Sequence, residues 1–464
     1  MEAVHPVAPE RPFEVFEPTA GEPFDTRRLC HLLRRTSFGA TPKRLAMYGG
    51  KPPGDVVNAL LNYEASNDPF EAMVEGLEGF VDLTQTSSVA SYWFYRMQNS
   101  PQPMQERLAL FWHGRWATGA SKVGSGRLMH EQIQTFRRMG IGNFRQMAVA
   151  MGRDPAMLIW LDGQYNRKGR PNENYGREVM ELFILGIGNY TEIDVRELAR
   201  AFTGWRVSDE QAMFDLNYFD AGRKEILGHS GDFDSESAMD VLLSQPAAGT
   251  HLSRNLLIEF VHPQPTDEHV KHYAARLVAL NWDVKAVLAE MLASRMFFSD
   301  WAYRARIKSP VELAIGAALA MGGKVSSDFL RDSCVRLGQN LLNPPNVKGW
   351  PGGETWINSN TVLLRFNFAM QMATQRQREF VRKDDLYELL NEHNVNSADE
   401  VVDHFSLLLV DGQLRDDARQ QLLTYMNTDA KGNRKEFKMS PEMVNSKVRG
   451  VLHMMMTMPE FQLA

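Results

Sequence analysis

Cysteine is nearly absent. Only Cys30 and Cys334 occur in 464 residues, so the chain can build neither a disulfide framework nor a cysteine-based metal site, and one bridge at most could form. Cys30 falls in an apolar helical pattern, where a thiol is ordinarily inert packing. Long apolar runs are missing too, with no stretch of about 18 apolar residues to cross a membrane as a helix. The opening MEAVHPVAPERPFEV lacks a basic segment followed by an apolar one. As written, the chain therefore reads as soluble, without an export signal, and its compartment stays open. Several reaction signatures are also absent. There is no G-x-x-x-x-G-K-[ST] and no G-x-S-x-G, and HEQIQ at 130–134 carries Gln134 where the zinc motif H-E-x-x-H needs its second imidazole.

What is present is ordinary for a globular protein: 44% apolar residues, 23% charged residues and a net charge of -6. That balance excludes a general attraction to nucleic acid or anionic membranes, while a local basic patch remains able to bind an anion. The length exceeds that of a usual single domain. We expect an extended arm at 1–25, a helical core at 26–382 and a C-terminal helical region at 383–464 packed on that core. The fold class is mainly α, with few short strands, organised around a helix pair at about 172–205. Leu29, Leu32 and Leu33 recur at helical spacing, Thr41 with Pro42 starts a helix, and Trp112 and Trp116 fall where a buried helix wants them. The polar, glycine-spaced stretch at 214–234 is the one place before residue 240 that reads as strand or long loop.

The densest mix of charge, amide and turn residues lies at 162–205. It reads as a basic loop, a helix bearing Glu173, Glu178 and Glu181, a glycine turn, and a second helix ending at Trp205. Arg167, Lys168 and Arg170 surround Gly169 just before a helix N-terminus, an arrangement suited to phosphate, sulfate or carboxylate. At 100° per residue Glu173, Asn174, Arg177, Glu178 and Glu181 share one arc, which Ile184 and Leu185 also enter, as in a lined cleft. Glu173 can pair with Arg177, and Asn174 with Glu178. Glu178 and Glu181, three apart, are like charges that need compensation. A divalent metal, an arginine (Arg177, Arg137 or Arg196) in a buried ion-pair network, or a raised carboxyl pKa suited to acid/base work would each supply it. His113, His130, Asp162 and Asp194 are candidate further metal ligands, although His113 also reads as a core histidine.

A second glycine-rich stretch, NPPNVKGWPGGETWINSN, places Lys348 beside Trp350 and Trp356. The tryptophans either stack on a sugar or base or plug the loop into the body. The resulting ligand-binding candidates are Arg167, Lys168, Arg170, Asn172, Asn174, Arg177, Lys348, Trp350 and Trp356. The catalytic candidates are Glu173, Glu178 and Glu181.

HLLRRTSFGATP, FWHGRWAT, NRKGRPNENYGRE, KSPVEL, PPNVKGWPGGETWINSNT and MPEFQLA together resemble the bacterial domain-of-unknown-function 1800 family over roughly 27–464. The resemblance implies a mainly helical protein but no activity. It also implies relatives that are often exported and often encoded beside the domain-of-unknown-function 1501 family, itself similar to alkaline phosphatases and sulfatases. Relatives commonly show FWHNHF where this chain has FWHGRW, so Arg115 replaces the second histidine and weakens any shared histidine–metal site. Three functions follow as expectations: an acidic-ligand site with hydrolytic capacity, an accessory protein for a phosphatase- or sulfatase-like partner, and carbohydrate binding through Trp350 and Trp356.

Overall fold

Helices begin where the sequence supplies a cap. Thr41 accepts a hydrogen bond from the Arg44 N–H at 3.2 Å and Pro42 opens the helix Pro42–Tyr48, the first-turn position at which proline gives up no helical bond. Thr191 and Asp194 exchange hydrogen bonds in a capping box at the start of Glu192–Ala201. The structure, a computed structural model, describes residues 7–63, 69–374 and 385–464. Among these the architecture is mainly helical, and the strands form two antiparallel hairpins, β1 (Trp205–Ser208) with β2 (Gln211–Phe214) and β3 (Lys224–Ile226) with β4 (His229–Gly231).

The second hairpin lies in the stretch expected to hold strands; the first does not. β1 also corrects the expectation that the second central helix runs to Trp205, because that helix stops at Ala201. The turn joining β1 to β2 is Asp209–Glu210, both in the left-handed region at φ 49° and 60°. Such turns match the twist of a hairpin but are usually announced by Asn or Gly. Here neither is present to announce it.

Trp112 and Trp116, each 1% exposed, are core residues of and just beyond the helix Pro103–Arg115. Trp112 donates its Nε1–H to the Gly140 carbonyl at 2.8 Å, and a Cβ at Gly140 would stand 2.6 Å from that indole. The arm is held down: Phe16 N–H donates to the Ala293 carbonyl at 2.8 Å and Arg295 N–H to the Glu14 carbonyl at 2.8 Å. The boundary expected at 382/383 lies outside the described residues. On both of its sides the apolar residues join one core, running from Phe16 to Phe461. Ala398–Val410 packs on Pro310–Ala320, and Arg449–Thr457 on Ser359–Thr374. Both cysteines are free and buried, and burial pushes the Cys30 thiol up to about 12.

The first central helix departs from regular geometry. Glu173–Glu178 is α-helical, but Val179–Ile184 is a π turn, closed by the Leu185 N–H donating to the Met180 carbonyl five residues back at 3.1 Å. The wider turn holds more residues than the 3.6 assumed in a helical projection. Ile184 and Leu185 lie in and just after that widened turn, where a 100° projection no longer applies, and are buried, 1% and 2% exposed.

Candidate functional site

The loop between Asp162 and Glu173 is held by amides. Asn166, 2% exposed, donates to the Ala199 carbonyl at 2.7 Å and accepts from the Asn172 N–H at 2.9 Å. Asn172 caps the helix by accepting from the Asn174 N–H at 3.0 Å. Asn174 turns its own amide to the Leu161 carbonyl at 3.2 Å, which corrects its expected bond to Glu178. Lys168 N–H donates to the Tyr218 carbonyl at 2.7 Å, and Gly169 adopts φ 76°, so the basic loop is tied to the segment after β2.

The loop and that segment enclose a surface cleft of about 630 Å³. Arg167 and Arg170 line it together with Arg206 of β1, and Tyr165, Tyr218 and Glu173 complete the part that matters chemically. Arg206 lies over the Tyr218 ring at 4.2 Å. None of the three arginines has a carboxylate partner among the described residues, whereas Glu173 is engaged by Arg177 at 3.3 Å and by Arg196 at 3.9 Å. Arg177 itself grips Glu192 at 2.7 Å. Sequence reasoning missed Arg206 and Tyr218; their only sequence signal is a basic residue and an aromatic flanking an unannounced hairpin.

Glu178 and Glu181 do not line this cleft. They sit further along the same helix, where Tyr190 donates its hydroxyl to Glu181 Oε2 at 2.9 Å and Lys348 Nζ stands 3.7 Å from Glu181 Oε1. The compensating cation is thus Lys348, delivered by the second glycine-rich stretch. Arg137, one of the arginines considered, is spent on Glu106 and Glu71. Among the described residues the Glu178 carboxyl makes no hydrogen bond or ion pair. Burial, then the Glu181 charge, raises its carboxyl pKa above the usual range, with Lys348 and Arg177 opposing. Burial, followed by the bond to Glu181, pushes Tyr190 up to about 12.

Lys348 reaches this position because Gly349 lies flat on the end of the Pro103–Arg115 helix. A Cβ on Gly349 would fall 2.2 Å from the Gly114 carbonyl oxygen, and its φ is 75°, a conformation that side chains disfavour. Trp350 then meets His113 edge-on at 5.5 Å, and Trp356 is 8% exposed.

The remaining candidates are dispersed. His113 is fully buried; it accepts from the Leu342 N–H at 3.1 Å through Nε2, and burial lowers its pKa to about 4. His130 lies 3.2 Å from Gln134 Nε2 and 3.5 Å from Glu78, Asp162 pairs with Lys122 at 2.8 Å, and Asp194 serves its capping box. Among the described residues no three His, Cys, Asp or Glu side chains gather as metal ligands, and no helix is long and apolar enough to cross a membrane.

Fold and cleft together define a mainly helical protein with an arginine-lined surface site, a class recognised by architecture and not by a reaction. Within that class the chain belongs to the family described as "Protein of unknown function (DUF1800)", whose model matches residues 31–463. No curated protein and no solved structure matches the chain.

Proposed function

We propose that the protein binds a ligand bearing a phosphate, sulfate or carboxylate group in the cleft of Arg167, Arg170 and Arg206. The observation that carries this reading is three guanidinium groups without a carboxylate partner lining one cleft. Guanidinium forks match the geometry of such anions. At about 630 Å³ the cleft falls in the size range of small-molecule sites, so the ligand has a body beyond its acidic group, and Tyr165 and Tyr218 offer rings against it. Calorimetry with phenyl phosphate, comparing the wild type with Arg167→Ala/Arg206→Ala, tests the reading. Saturable binding that weakens with salt and is lost in the double variant is expected; equal binding by both proteins, or none by the wild type, ends it.

A second reading rests on Glu178, an unpaired, half-buried carboxyl with a raised pKa, which is the form of a proton-transfer group. Hydrolysis of a phosphate or sulfate ester that disappears in Glu178→Gln with Tm unchanged supports it; turnover surviving in that variant removes it. The accessory role with a domain-of-unknown-function 1501 protein draws on the resemblance alone. It requires the two purified proteins to co-elute, and separate elution counts against it.

A further inference from the structure

A smaller cavity of about 150 Å³ lies on the other side of the Lys348–Trp356 loop, walled by Arg107, Arg115, Arg306, Glu259, Glu312 and the two loop tryptophans. Its charges do not balance. Arg107 pairs with Glu259 at 2.7 Å and with Glu312 at 2.6 Å. Arg306 pairs with the same two carboxylates, at 3.4 Å and 3.0 Å. Both acids are therefore shared between two arginines; among the described residues the third, Arg115, forms no ion pair of its own, although the Glu259 charge acts on it. Its guanidinium lies over the Phe111 ring at 5.7 Å. Two further buried side chains adjoin the lining residues with donor atoms left unbonded. Arg35, whose carbonyl accepts from Arg107 at 3.2 Å, is fully buried; it donates Nη2–H to the Ala302 carbonyl at 2.8 Å and leaves Nε and Nη1 unbonded. His113, packed on Trp350, must carry its proton on Nδ1 because Nε2 accepts from Leu342, and Nδ1 has no partner.

An interior region rich in unmatched donors and cations is expensive unless an acceptor fills it. Trp350, Trp356 and Phe111 give the same cavity apolar surface. We infer that this cavity is a second ligand site, independent of the surface cleft, which takes a small organic carboxylate: the carboxylate on the Arg115 fork and a ring-sized apolar body against Trp350 and Trp356. The volume matches a cavity that holds a benzene-sized molecule. Burial also holds the Arg115 guanidinium below its usual pKa, prevailing over the opposing Glu259 charge.

Calorimetry with benzoate of the full chain carrying Arg167→Ala/Arg206→Ala, which disables the surface cleft, tests this. Saturable binding is expected, with no binding of benzyl alcohol, which has the same ring and no charge. Arg115→Gln should weaken benzoate by at least about tenfold, the worth of a charged hydrogen bond. Because the surface cleft is already disabled in this background, a failure here is separable from a failure there. Should Arg115→Gln not fold, Arg115→Lys, which keeps the charge and loses the fork, is expected to show a comparable loss. The inference is overturned by absence of saturable benzoate binding in that background, by an added Arg115 substitution that leaves the binding unchanged, or by inorganic phosphate displacing benzoate at equal concentration.

Discussion

Glu312 joins Arg107 and Arg306, two of the three arginines of the interior cavity, and replacing it by glutamine is the sharpest test of what that network contributes. The carboxylate is 2% exposed; it accepts from Arg107 at 2.6 Å, from Arg306 at 3.0 Å and, in a capping box, from the Ser309 N–H at 2.8 Å. Glutamine keeps the shape and one acceptor but removes the charge, leaving two buried guanidinium groups to share Glu259. Orphaning a buried charge in this way costs about 3 to 5 kcal/mol. At about 2 cal/mol/K per residue, unfolding 464 residues carries an entropy of about 1 kcal/mol/K, so Tm should fall by about 3 to 5 °C. Differential scanning calorimetry at pH 7 reads this directly, with Arg115→Gln, which orphans no acid, as a control that should shift Tm far less. The pH dependence follows from the same contacts. Arg107 and Arg306, prevailing over burial, hold the Glu312 carboxyl well below its ordinary value of 4.5. Its contribution is therefore complete above that value and is lost as pH falls toward the folded-state value, and the gap between wild type and variant should narrow below about pH 4.5. A shift under about 1 °C at pH 7, or a gap that widens in acid, would refute the reasoning.

Three further outcomes are expected. Asp154 is buried and accepts from Met157 N–H at 2.8 Å and from Gln132 at 2.7 Å; burial raises its carboxyl to about 6 from 3.8. The stability it lends is present below 3.8 and lost as pH rises through 6, so Asp154→Asn should gain up to about 3 kcal/mol at pH 8 and nothing at pH 3.5 in urea melts. Lys348→Gln should cost under about 1 kcal/mol, because the lysine is 62% exposed and surface pairs contribute little, yet it should move the Glu178 titration, followed by carboxyl NMR, to higher pH. Gly349→Ala should reproduce that titration shift while destabilising more, since the loop can no longer lie on Gly114; an unmoved Glu178 in both variants would break the proposed coupling.

Much of the helical framework was legible because its signals are local. Thr41 with Pro42, Thr191 with Asp194, and the spacing of Trp112 and Trp116 each depend on neighbours within a turn or two. The site was legible in part. Arg167 and Arg170 stand together in the sequence and in the cleft, but Arg206 arrives through a hairpin whose Asp209–Glu210 turn carries no glycine or asparagine. The demand of Glu181 for a cation was readable from its spacing to Glu178. That the cation is Lys348 was not, because it depends on a distant glycine docking against Gly114. The helical projection failed at Ile184 and Leu185 for a different reason: it assumed a uniform residue count per turn through a segment that widens.

That widened segment also governs how the chain can change length. A helix pinned at both ends, here by the Asn172 cap and by Gly186 at φ 84°, can take up one additional residue as a π turn without displacing either anchor. Removing one residue from Val179–Ile184 would restore α geometry and rotate everything on one side of the deletion, so that Glu181 would part from Tyr190 or Phe183 from its stack on Trp116 at 4.4 Å. A single-codon insertion or deletion here acts as a change of direction for the acidic pair, leaving the helix unbroken.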